Sequence, residues 1–120
     1  METGKAYGFF NCNAPQEEIE TYFPMIRRDA RTPSQLELSL IEGMDNLLGD
    51  EQIKAEAEGA KSQGIRYVLE ATYPGATNET TAKELGDILN LLQATSLYEP
   101  KEKFCGLVLY KHDGEYLSLE

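Results

Sequence analysis

The sequence predicts an α+β fold: a two-layer sandwich, mostly antiparallel, with helices packed on one face of the sheet. Three observations lead there. Residues 35–42 and 65–73 alternate apolar with polar side chains, the period of a half-buried strand. Residues 15–30 and 81–92 place apolar side chains at helical spacing. Asp113-Gly114 lies between two strand-like stretches and spells a two-residue hairpin turn. With 120 residues there is material for one core, so residues 1–120 read as a single domain.

Residues 6–13 open the fold as an aromatic strand that stops at Asn11-Cys12-Asn13. Pro15 suits a first helical turn, and Glu17 and Glu18 suit the positive end of its dipole. Ile19, Tyr22, Phe23, Ile26 and Ala30 share one face. Pro24 has no N–H for the carbonyl of Glu20, which predicts a kink or two short helices. In residues 35–42, Leu36, Leu38 and Leu40 face one way and Glu37 and Ser39 the other. Asp50 caps a further helix that runs to Gln63 and stops at Gly64. Its apolar stripe, Ile53, Ala57 and Ala60, is thin and places it at the periphery.

Residues 65–73 form the clearest strand, ended by Pro74-Gly75. The next helix has two candidate caps, Asn78 and Thr81, the latter with Glu84 at capping-box spacing. Leu85, Ile88, Leu89 and Leu92 make its core face. Residues 104–111 and 116–119 then form the hairpin around Asp113-Gly114. The order fits either a ferredoxin-like sheet or a duplicated βαββ unit, with a pseudo-repeat over 6–48 and 65–119. In the ferredoxin-like arrangement the strands at 6–13 and 65–73 are expected to be central and parallel. Those at 35–42 and 104–111 flank them, and the last hairpin arm extends one edge.

Composition excludes several functions. A formal net charge of −10, from 21 acidic and 11 basic residues, offers no basic face for nucleic acid and no polybasic membrane anchor. No apolar run approaches the ~20 residues of a membrane-spanning helix. Residues 1–10 lack a basic segment followed by a long apolar one, so no signal peptide is expected and the cytoplasm is the expected location. Two cysteines supply neither a disulfide framework nor a four-thiolate zinc site. Asp45, Asn46, Asp50 and Glu51 lack the spacing of a calcium loop. Phosphate-loop, dinucleotide and zinc-protease motifs are absent, so no cofactor or metal is expected. Asn78-Glu79-Thr80 is a glycosylation sequon by spelling, but Asn78 reads better as a cap.

Few residues suggest chemistry. Cys12 lies where the first strand meets a helix, a place that favours a thiolate. The one histidine, His112, falls at the far end of a strand antiparallel to the first, roughly 20 Å away at ~3.3 Å per residue, so a Cys–His pair is not expected. The same layout makes Cys12 and Cys105 neighbours that pair on oxidation. Arg27, Arg28 and Arg31 suit an anion clamp or, more plainly, the negative end of a helix. Glu70 with Tyr67, Tyr73 and Tyr110 would line a pocket for a cation or aromatic ligand, although Glu70 has the opposite strand parity to Tyr67 and Tyr73. The face away from the helices, expected to carry Phe9 or Tyr7, Val68, Val108 and Tyr110, is apolar for solvent and suggests a ligand, a partner or a second copy. These residues favour a non-enzymatic module that binds a small molecule or a protein. The alternatives are a thiol-dependent enzyme or redox protein using Cys12, and a domain that forms homodimers through its sheet.

Overall fold

The structure is a computed structural model that describes residues 3–10, 15–42, 53, 55, 59, 67–93 and 107–119. Along the chain run β1 (Thr3–Phe10), α1 (Gln16–Thr21), α2 (Phe23–Asp29), β2 (Glu37–Glu42), β3 (Tyr67–Pro74), α3 (Asn78–Gln93), β4 (Leu107–His112) and β5 (Glu115–Ser118). Ile53, Ala55 and Gly59 are helical too. The break expected at Pro24 is present. Tyr22 separates α1 from α2, and Pro24 lies in the first turn of α2, where its missing N–H costs no bond.

One five-stranded sheet has the order β2-β3-β1-β4-β5, with every neighbouring pair antiparallel. The central strands are the two expected, but they run antiparallel, Thr3 opposite Pro74 and Phe10 opposite Tyr67. Hydrophobic alternation gives a strand's faces and is blind to its direction. The β4–β5 hairpin turns at Asp113 (φ 50°) and Gly114 (φ 84°), the two left-handed residues of a type I′ turn.

The pleat sorts side chains cleanly. Ala6, Phe10, Leu40, Tyr67, Leu69, Ala71 and Val108 belong to the larger core with Ile19, Ile26, Ala82, Leu85, Ile88, Leu89 and Leu92 from the helices. Gly8 lets α3 approach β1: a Cβ there would lie 2.7 Å from Leu89 Cδ1. The opposite face buries Tyr7, Phe9, Val68 and Leu109 around Ile53, with Ile41 and Tyr116 at its margin. Two expectations change here. Val108 and Tyr110 lie on the helix-side core rather than the far face, because Leu109 is the residue that pairs with Tyr7. Ile53, expected at the periphery, is fully buried, so a helical residue also covers the second face.

Candidate functional site

A cleft of about 450 Å³ lies where the start of α3 meets the β4–β5 hairpin. Thr3 of β1, Ala76 to Glu79 of the turn and helix start, and Lys111, His112 and Asp113 line it. Its volume lies within the usual span of small-ligand sites. A second hollow, about 520 Å³, is lined among the described residues by Pro15, Gln16, Glu17 and Glu20, all at the start of α1. Three separate elements define the first.

Local chemistry fixes each wall. Pro74-Gly75 ends β3 in a turn in which the Ala76 N–H donates to the Tyr73 carbonyl (3.3 Å) and Gly75 takes φ 85°. Thr77, rather than Asn78 or Thr81, caps α3: its hydroxyl oxygen accepts the Thr80 N–H at 3.1 Å. The buried Thr81 hydroxyl turns back to donate to the Thr77 carbonyl (2.8 Å). Gly4 packs so closely here that a Cβ would collide with the Thr81 hydroxyl and the Thr77 carbonyl.

Asn78 is thereby released for a different task. β1 and β4 pair from Ala6–Tyr110 to Phe9–Leu107. The next rung would join Lys5 to Lys111. In its place the Lys5 N–H donates to Asn78 Oδ1 (2.9 Å), and Asn78 Nδ2 donates to the Lys111 carbonyl (2.9 Å). One side-chain amide thus stands in for a backbone hydrogen bond, satisfying both groups while the strands part. The cleft opens beyond this point, between Thr3 and Asp113.

Charges of both signs rim the cleft. His112 Nε2 lies 3.3 Å from Asp113 Oδ2 on exposed side chains, and Lys83 lies 3.6 Å from Glu79 one turn along α3. Lys111 Nζ stands 5.8 Å from the Tyr116 ring centre, and Tyr116 meets Tyr7 edge-on at 6.4 Å. The arrangement suits a polar ligand carrying donors and acceptors. Among the described residues no group of three or more His, Cys, Asp or Glu is placed to hold a metal. No described helix is long and apolar enough to cross a membrane.

The residues singled out from sequence lie elsewhere. The Arg27 guanidinium donates to the carbonyls of Pro33 (3.1 Å) and Leu36 (2.6 Å), binding the loop after α2 to the helix. Arg28 is exposed beside Asp29 at 3.4 Å, and Arg31 is exposed just past the helix. Tyr67 is fully buried and stacks on Phe10 at 5.5 Å. Tyr73 and Tyr110 pack at the margin of the same core. Glu70 lies on the other face, paired across the sheet with Tyr7 and Ser39, as its parity predicted. Cys12 and Cys105, and the pairing expected of them, lie outside the described residues. The cleft residues carry only weak local signals, two turn dipeptides and a run of threonines. Their convergence depends on the β1–β4 register, which no local pattern reveals.

No family model matches this chain, and neither the curated proteins nor the solved structures contain a match.

Proposed function

We propose that this protein is a non-enzymatic binding module that recognises a small polar molecule, or a polar group presented by a protein, in the cleft at the start of α3. The observation that carries this reading is the Asn78 bridge, which holds β1 and β4 apart and leaves a ligand-sized recess walled by three elements. His112 supplies a donor, and Glu79 and Asp113 supply acceptors. The order β2-β3-β1-β4 with antiparallel central strands, not the parallel ones expected, supports a ferredoxin-like split βαβ core with β5 added at one edge, a scaffold that sets the site without naming its ligand.

NMR titration tests the proposal. Acetate, inorganic phosphate, a primary amine and a free amino acid form the ligand panel. Saturable amide shifts confined to Thr3, 76–79 and 111–113 are expected with at least one of them, and loss of those shifts in Asn78→Ala. Titrations that stay flat at these amides for the whole panel would overturn the reading.

A further inference from the structure

We infer that the C-terminal end of α2 is a docking surface for an acidic peptide segment of a partner protein, held by Arg28 and Arg31 beside the exposed Met25. The chain has only 11 basic residues against 21 acidic ones, yet three of the 11 fall within residues 27–31. The helix dipole accounts for cations in the last turn. It favours Arg27 and Arg28 in the last turn of α2, and Arg31, directly after the C-cap Ala30, adds a third cation at the same end.

Arg31 occupies a demanding backbone position. The Thr32 N–H donates to the Arg27 carbonyl at 2.9 Å and the Arg31 N–H to the Arg28 carbonyl at 3.2 Å, closing the helix with Arg31 at φ 56°. Such a closure normally places glycine at the left-handed residue. A long cationic side chain stands here at a conformational cost glycine would not carry, and strain of this kind is characteristic of functional positions.

The surroundings make a firm platform. Arg27 is turned inward onto the Pro33 and Leu36 carbonyls, so the segment after Arg31 is tied back to α2. Arg28 keeps 76% of its side chain exposed even beside Asp29. Met25, one turn before Arg28 on the same flank of α2, is 40% exposed and one of two large apolar side chains so exposed among the described residues. Two cations and a flexible thioether fit a segment rich in Asp or Glu with an apolar anchor.

Arg31→Gly provides the test, since it relieves the backbone and removes the charge together. A fluorescein-labelled Glu/Leu-rich peptide is titrated with the full chain by anisotropy, with a Lys/Leu-rich peptide of equal length as control. The acidic peptide alone should bind, more weakly as salt rises. Arg31→Gly should melt higher than the parent and bind up to about five-fold more weakly. Arg28→Glu/Arg31→Glu should lose at least about ten-fold, and Asn78→Ala, which alters the cleft, should bind like the parent. Unchanged binding by a folded Arg31→Gly, equal binding of both peptides, or self-association that competes with the peptide would overturn the proposal.

Discussion

The two faces of the sheet are cut from the same strands but hold unlike cores. Beneath α1, α2 and α3 the helix-side face joins Ala6, Phe10, Tyr67, Leu69, Ala71 and Val108 to a wide apolar surface. The far face gathers Tyr7, Phe9, Val68 and Leu109 around Ile53, the one helical residue among those described there. Among the described residues, more elements contribute to the larger core than to the smaller one. β1 is buried at every position from Ala6 to Phe10, the pattern of a strand covered on both sides.

Substitutions on the two faces test that contrast. Ile88→Ala, at the centre of the larger core, should cost about 2–5 kcal/mol of unfolding free energy in urea titration. Ile53→Ala should cost about 2 kcal/mol, the low end of the same range, because fewer elements among the described residues surround it. A loss below about 0.5 kcal/mol, typical of surface sites, would show the far face to be solvated and the contrast to be false.

A smaller effect lies on the flank of α3. Burial pushes the Glu84 carboxyl up, and the neighbouring Asp87 carboxylate adds in the same direction. The folded state therefore favours protonated Glu84. That contribution is fully present below the unfolded carboxyl's range and is lost as pH rises through the folded value. Glu84→Gln should be the more stable protein at neutral pH, with the gain vanishing in acid, as urea midpoints at the two pH values will show. A gain that persists in acid would assign the effect to something other than the carboxylate.

Much of this architecture was legible because local chemistry and global fold agree. Asp113-Gly114 announced its turn, Pro24 split its helix, and Leu85, Ile88, Leu89 and Leu92 marked the face of α3 that is buried. The far face was legible only in part. Its residues were read as apolar for solvent and open to a partner, and the thin stripe at Ile53, Ala57 and Ala60 understated what one residue covers. Strand direction was misread, since alternation is unchanged when a strand is reversed. The cleft was not legible. Asn78 looked like a helix cap, and only the sheet register shows it replacing a rung between β1 and β4.

That replacement is the claim on which the binding cleft rests, and amide hydrogen exchange reads it directly. The Lys5 amide should be protected in the parent chain, since it donates to Asn78. In Asn78→Ala it should exchange much faster while Tyr7 and Phe9, inside the β1–β4 ladder, keep their protection. If Lys5 stays as protected in the variant as in the parent, the strands pair without Asn78, and the account of the cleft is wrong.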